Sequence, residues 1–316
     1  MSTNQPSSDP KQAPTQGTTA SPQPHQSTVQ APASPSAEYM MLGELPESFV
    51  RGALMREFSP YSVALCRVRE EKANTFTALG TGVLVKRGNR FGILTAHHCL
   101  HSCNPQVRLG MVGGDTLKLI LHNGRGASVG SQEVTEHVLA APQTEDFGPD
   151  LTFIELLALP LLASIKAIGS FWSLDRSPSD LLAAFGSKWT PLASIGFPEF
   201  DYNTEIIGNH IHHTVRHMTY ANAIQEGDLL ERDGWDYLES TMRYTGSDLP
   251  PSFTGVSGGP VWGMALKRHK SDSHMTIEKS ALIGITFYQT ARKNDERRLR
   301  AHFIKSIYDL AWRNLP

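Results

Sequence analysis

The sequence predicts an all-β protein, because short runs rich in Val, Ile, Leu, Thr and Phe recur along it and helical periodicity is sparse. Such runs include "YSVALCRV" at 61–68, "FGILT" at 91–95, "LTFIEL" at 151–156 and "ALIGITF" at 281–287. Turn-forming stretches such as "KRGNR" and "MVGGD" separate the runs, many of which are too short for a helix. Many short strands with this punctuation suggest a β-sandwich or a β-barrel.

The two ends of the chain differ from this pattern. Residues 1–38 consist mainly of Pro, Ser, Thr, Gln and Ala and cannot bury enough apolar surface to offset their ordering entropy. We therefore predict a disordered tail over 1–38, interpreted as a spacer, and a folded domain over 39–316. Near the other end, "FIKSIYDLAW" has apolar residues at helical spacing, which predicts a terminal helix over about 304–313.

Composition excludes several classes of partner. The formal net charge of the 316 residues is −2, so bulk electrostatics favours neither nucleic acid nor an anionic membrane. The longest apolar run, "LLALPLLASI" at 156–165, is about half of the ~20 residues that a membrane helix needs, and it contains Pro160. The sequence therefore predicts no nucleic-acid partner and no membrane partner.

Cysteine usage and the first residues of the chain point to a compartment. "MSTNQPSSDP" has neither the basic nor the apolar segment of a secretory signal. The chain has three cysteines, an odd number that fits reduced thiols better than a disulfide framework. We expect a cytoplasmic protein.

The stretch "FTGVSGGPVWG" at 253–263 is the first candidate for chemistry. Its glycines let the backbone turn tightly around Ser257, so that the N–H groups of Gly255 and Ser257 can point at one spot. Two converging donors would stabilise an oxyanion during acyl transfer. Taken alone, the stretch also fits a glycine-rich turn with an incidental serine.

A nucleophilic serine needs a base, and the base needs an orienting carboxylate. "ILTAHHC" offers a histidine at the end of an apolar strand, and "GPDLTFIEL" offers Asp150 at the start of another. The order His98, Asp150, Ser257 is that of one known triad architecture.

The blocks "TAHHC", "DLTFIEL" and "GVSGGP" together resemble the chymotrypsin-like (trypsin-like) serine peptidases. The resemblance covers roughly 45–316. It implies an all-β fold of two six-stranded antiparallel β-barrels, about 45–156 and about 190–303, followed by the C-terminal helix over about 304–313. The active site would lie in the cleft between the barrels.

The same resemblance implies roles for individual residues. Ser257 matches the nucleophile, His98 the general base and acid, and Asp150 the residue that orients the imidazole. Gly255 and Ser257 match the oxyanion-hole donors. The implied activity is that of a serine endopeptidase that hydrolyses peptide bonds through an acyl-enzyme, with a protein or peptide substrate and no cofactor.

Two departures from the family pattern bear on the compartment and on the substrate. Where the family has a cysteine that pairs with the one after the histidine, this chain has Gly80, so Cys99 lacks that partner and the cytoplasmic expectation is strengthened. Pro251 stands where an aspartate confers Lys/Arg selectivity in the family. This substitution favours a small or medium apolar P1 residue, although Asp248 in "GSDLPP" offers a route to basic selectivity.

The pocket is expected to include a further segment. Thr286, Phe287 and Tyr288 match the family's strand that binds the substrate backbone, and the bulk of Tyr288 would narrow the pocket mouth. Restraint of a cytoplasmic protease could come from the tail, from a regulatory protein partner or from an incomplete active site, and the sequence leaves all three open.

Two other functions remain as alternatives. One is a catalytically silent module of the same fold that recognises a protein partner. The other is metal binding by "TAHHCLHSC", where a helical turn would place His98 and His101 on one face and Cys99 and Cys103 on another. A metal site would then need ligands from elsewhere, so we predict none there and expect His97 and His101 to face solvent. A second cluster, "NHIHHTVRHMTY" at 209–220, is interpreted as an exposed strand or loop.

Overall fold

The computed structural model describes a set of segments that all belong to one compact unit, Met40–Pro316. These segments are 49–69, 75–101, 115–141, 148–177, 180–181, 191–198, 202–207, 210–215, 218–223, 229–243, 252–268, 275–313 and 315. The tail predicted over 1–38 lies outside the described residues.

Strands dominate the described residues. Strands β1 to β8 are Ser62–Arg69, Thr75–Arg87, Arg90–Thr95, Asp115–Leu121, Gly126–Val129, Val134–Ala140, Leu151–Leu156 and Trp172–Ser173. Strands β9 to β17 are Pro191–Gly196, Tyr202–Ile207, His210–Val215, Met218–Ala223, Leu229–Arg232, Trp235–Arg243, Pro260–Arg268, Met275–Gln289 and Glu296–His302. The helices α1 to α4 are Met55–Phe58, His98–His101, Leu159–Lys166 and Ile304–Tyr308. A π-helix over Phe49–Leu54 and 3-10 turns over Ser59–Tyr61 and Leu310–Trp312 complete the elements.

The strands form two large antiparallel sheets. The first has the order β5-β4-β1-β2-β3-β7-β6, with β8 added in parallel to β2. The second has the order β12-β9-β15-β16-β17-β14-β13, and β10 and β11 form a separate pair. The predicted all-β class with antiparallel sheets is confirmed. Among the described strands neither sheet pairs its first edge with its last, so two closed six-stranded barrels are not shown.

The burial of strand β7 explains why a charged side chain is buried just before its first residue. Its side chains alternate, as a pleated strand requires. Leu151 and Phe153 join the larger hydrophobic cluster, while Ile154 and Leu156 join the cluster of the first sheet. Because β7 is covered on both faces, the residue that precedes it, Asp150, is buried as well.

The predicted C-terminal helix is present as α4 followed by the 3-10 turn. Its buried side chains include Ile304, Ile307 and Ala311, which form the predicted apolar stripe. Asp236, in β14, accepts hydrogen bonds from the N–H groups of Lys305 at 2.9 Å and Ser306 at 2.6 Å. These N–H groups have no partner within the helix, so a side chain from a distant strand caps it.

Membrane-spanning helices are absent from the part of the chain that the structure describes. No helix there has the length and apolar character that crossing a bilayer requires.

We expect Asp236→Ala to lower the free energy of unfolding by about 1–2 kcal/mol, because α4 loses its cap and the Ser306 hydroxyl loses an acceptor. Urea denaturation measures this change. Asp309→Ala is the matched control, since Asp309 pairs with Arg313 at the surface and its loss should cost less than about 0.5 kcal/mol. Equal losses in the two variants would contradict the capping role.

Candidate active site

His98 and Asp150, which are 52 positions apart, meet where β3 ends and β7 begins in the first sheet. His98 Nδ1 lies 2.5 Å from Asp150 Oδ2, and the His98 backbone N–H donates to Oδ1 at 3.0 Å. A carboxylate only accepts, so this contact places a proton on Nδ1. When His98 is neutral, its Nε2 therefore carries the lone pair that a general base uses.

Burial and hydrogen bonding act in opposite directions on Asp150. Burial raises the pKa of the Asp150 carboxyl, but the hydrogen bonds from the His98 ring and backbone, and the charge of that ring, lower it by more. The net effect is a pKa below the usual range for aspartate. Asp150 is therefore ionised at neutral pH although only 4% of its surface is exposed.

His302, at the end of β17, completes this arrangement from the second sheet. Its Nε2 accepts the backbone N–H of Asp150 at 2.9 Å, and its ring stacks on Phe287 with centroids 4.6 Å apart. Complete burial lowers the pKa of His302 to about 3, so the ring is neutral. Its other nitrogen, Nδ1, is buried and meets no acceptor among the described residues.

Sequence reasoning did not find His302, because no local pattern marks it. Its role depends on strand register, which sets it opposite Ile285 in β16 and Tyr237 in β14. The strand pairing of the second sheet brings its ring into hydrogen-bonding distance of the Asp150 backbone N–H.

The loop that carries Ser257 is fixed by backbone groups of both sheets. From β2, Thr81 donates its N–H to the Ser257 carbonyl at 2.8 Å and its hydroxyl to the Gly255 carbonyl at 2.7 Å. From β16, the Thr286 carbonyl accepts a hydrogen bond from the Gly258 N–H at 2.6 Å, and the Thr286 N–H donates to the Gly259 carbonyl at 2.9 Å. Ser257 thus lies between the two sheets.

Gly258 is required by both conformation and space. Its φ of +83° lies in the left-handed region that side chains rarely adopt. A Cβ at this position would lie 2.0 Å from the Thr81 carbonyl oxygen and 2.1 Å from Thr95 Oγ1. The glycine in the motif therefore permits close approach of the loop to the first sheet.

Two backbone N–H groups of the loop are not used in the hydrogen bonds of the described residues. The N–H groups of Val256 and Gly259 form turn hydrogen bonds with Phe253 and Val256, respectively. The N–H groups of Gly255 and Ser257, the predicted oxyanion donors, meet no acceptor within the described segments.

Ser257 contacts the histidine segment through its main chain. Within the described residues, no hydrogen bond joins Ser257 Oγ to His98 Nε2. The link runs through Cys99, whose thiol donates to the Ser257 carbonyl at 3.3 Å. Burial raises the pKa of Cys99 to about 12, so this group remains a thiol.

Gly80 lies directly against Cys99. A Cβ built on Gly80 would be 2.5 Å from the Cys99 sulfur, so the two positions are adjacent, as the resemblance implies. Cys66 and Cys99 are both free thiols.

The predicted substrate segment is partly described. Thr286 is buried and its main-chain groups are bound to the Ser257 loop, while Phe287 packs against His302. Tyr288 is half-buried, with the Arg300 guanidinium 5.5 Å from its ring centroid. Pro251 and Asp248 lie outside the described residues.

The expectation that His97 and His101 face solvent is wrong. His97 Nδ1 lies 2.8 Å from the Thr152 hydroxyl, and the two histidine rings stack with centroids 4.2 Å apart. His101 Nε2 is hydrogen-bonded to Glu136 of β6. Both histidines are held at the first sheet by their side chains, His97 by Thr152 of β7 and His101 by Glu136 of β6. For the second histidine cluster, the backbone forms β11 and β12, and the histidine side chains lie outside the described part.

Comparisons with known proteins do not place the chain in a family. No protein-family model matches it, and no curated protein matches it. One solved chain comes from work on how aromatic interactions drive the coupled folding and binding of the intrinsically disordered Sesbania mosaic virus VPg protein. It aligns with a TM-score of 0.41 and 13% identity, over 80% of this chain and 92% of that chain. A likeness at this level does not establish a shared fold.

We expect His302 to make stability depend on pH. The unfolded chain takes up a proton near pH 6.5, whereas the folded chain keeps His302 neutral down to about pH 3. Between these values the unfolded state binds more protons, so the free energy of unfolding falls as pH falls. The contribution of this group is at most about 1.4 kcal/mol per pH unit.

His302→Gln isolates that contribution, because an amide oxygen can still accept the Asp150 N–H. Urea denaturation from pH 8 to pH 4 should give a shallower decline for the variant below about pH 6.5. Above that pH, both proteins should show the same slope, which serves as the internal control. Parallel curves at all pH values would show that His302 is not buried in its neutral form.

Proposed function

We propose that this protein is a serine endopeptidase of the chymotrypsin-like type, acting through His98, Asp150 and Ser257. The observation that carries the proposal is the hydrogen-bonded His98–Asp150 pair beside a glycine-rich serine loop with two free N–H groups. The sequence blocks support the same assignment. We also propose that the two sheets are the two six-stranded barrels of that family.

The residues fit a mechanism in which every proton has a place. Ser257 Oγ attacks the peptide carbonyl carbon while His98 Nε2 takes the hydroxyl proton, and Asp150 stabilises the resulting imidazolium. The oxyanion would accept hydrogen bonds from the N–H groups of Gly255 and Ser257. The imidazolium then protonates the departing amine. A water molecule, deprotonated by His98, attacks the acyl carbon, and the imidazolium returns that proton to Ser257 Oγ as the acyl–oxygen bond breaks.

The compartment and partners follow from the same proposal. Free thiols at Cys66 and Cys99, and Gly80 in place of a bridging cysteine, fit a cytoplasmic enzyme. Its substrate would be a protein or peptide, with no cofactor, and its restraint would come from the tail, from a regulatory protein partner or from an incomplete active site.

A silent binding module is the second candidate. The observation that favours it is the absence of a hydrogen bond between His98 Nε2 and Ser257 Oγ among the described residues. Catalytic hydrogen bonds are often long in free enzymes and tighten when substrate binds, so this observation does not outweigh the first candidate.

We expect a fluorophosphonate probe to label the purified protein at Ser257. Ser257→Ala should abolish labelling, and His98→Ala should slow it by about 10⁴-fold, because the hydroxyl then lacks its base. Ser252→Ala is the matched control, since its hydroxyl bonds to Thr254 at 2.7 Å and lies in the same loop. Labelling that never occurs, or that survives Ser257→Ala, would defeat the catalytic proposal and favour the silent module.

We propose a small or medium apolar P1 residue, because Pro251 replaces the family's selectivity-conferring aspartate and Tyr288 adds bulk. A peptide library with varied P1 should be cleaved at least about 10-fold faster after Ala or Val than after Arg. Tyr288→Ala should shift the preference toward larger apolar residues. Efficient cleavage after Arg would contradict this prediction and point to Asp248.

A further inference from the structure

His97, His101 and Glu136 form a cluster of potential metal ligands outside the triad. One ligand atom from each residue lies within 4.8 Å of the other two. The His101 and Glu136 side chains are hydrogen-bonded and are 13% and 10% exposed. The ring of His97 stacks on that of His101 at an interplanar angle of 25°. Two imidazoles and a carboxylate thus converge in a largely buried place.

We propose that His97, His101 and Glu136 bind a zinc ion. Two histidines and one glutamate make a donor set that zinc accepts with three protein ligands and an open fourth position. Two atoms bonded to one zinc at about 2.1 Å lie roughly 3.4 Å apart in a tetrahedral site, so the hydrogen-bonded His101 and Glu136 atoms would move apart and His97 would move closer. The ion would replace the proton that His101 and Glu136 now share.

The surroundings orient the ligands as a metal site requires. Thr152 is completely buried in β7, and its hydroxyl lies 2.8 Å from His97 Nδ1, which leaves Nε2 of that ring for the ion. Pairing of β6 with β7 fixes Glu136 relative to Thr152.

Two neighbouring groups, the Cys99 thiol and the His137–Glu155 pair, lie outside the proposed set of zinc ligands. The Cys99 thiol is turned toward the Ser257 carbonyl, so the ligands from the described residues are nitrogen and oxygen without sulfur. The next residue on β6, His137, pairs with Glu155 at 2.8 Å and stacks on Phe153, not on a second histidine. That pair offers two ligands where the cluster offers three, and it provides a natural control.

Zinc binding would also reach the triad, a consequence that rests on the proposed function. His98 lies between the two histidine ligands in the chain, and α2 contains both His98 and His101. An ion that opens the His101–Glu136 contact would move α2, and with it the backbone from which His98 reaches Asp150. Zinc should therefore slow the peptidase reaction.

Isothermal titration of the full chain with Zn²⁺ tests the site, using Ser257→Ala so that binding is measured without turnover. We expect one high-affinity zinc per chain. Glu136→Gln and His101→Gln should each weaken binding by at least about 10-fold, whereas His137→Gln should leave it within about two-fold. No binding, or binding unchanged in Glu136→Gln and His101→Gln, would overturn the site.

Two further measurements keep the test independent of folding and of catalysis. X-ray absorption of the zinc-loaded chain should show imidazole and oxygen ligands, and a sulfur ligand would overturn the assignment by implicating a cysteine. In a chain that labels at Ser257, zinc should reduce the labelling rate, and Glu136→Gln should relieve this effect. If titration shows zinc but no labelling occurs with or without it, the metal site stands and the proposed function fails.

Discussion

The position of the Ser257 loop depends on backbone hydrogen bonds to two strands from different sheets. Thr81 of β2 holds the carbonyls of Ser257 and Gly255, and Thr286 of β16 holds Gly258 and Gly259 from the other side. Main-chain groups make most of these bonds, so the loop is placed by where the strands run. The missing Cβ of Gly258 lets the loop come within contact distance of β2.

A buried carboxylate sets the second constraint. Asp150 can remain charged in the interior because hydrogen bonds from His98 compensate for lost water. His302 contributes differently, since its neutral ring accepts the Asp150 N–H and fixes the backbone from which the carboxylate projects. At neutral pH, one charged group and one neutral acceptor therefore support His98 from opposite sheets.

The sequence predicted what depends on local pattern and could not predict what depends on register. Apolar runs located the strand ends that carry His98 and Asp150, and the glycines around Ser257 indicated a tight turn. His302 and Glu136 escaped notice because each reaches the site through strand pairing across more than thirty positions, for which a single sequence carries no signal.

The histidine-rich segment shows how a small geometric difference changes the expected chemistry. A helical turn pairs residues three and four apart. The sequence pairs His98 with His101, three positions apart, and a metal site built on that pair would need distant ligands. In the structure, the rings that stack are those of His97 and His101, which are four positions apart.

The short helix α2 therefore presents different groups to three neighbours. Cys99 turns to the Ser257 loop, His98 to Asp150, and His101 to Glu136 on β6. His98 and His101 share the four residues of α2, so their side chains are linked by one turn of backbone. A ligand that enters between His101 and Glu136 would therefore act on the His98–Asp150 contact through that turn, with the two sheets left as they are.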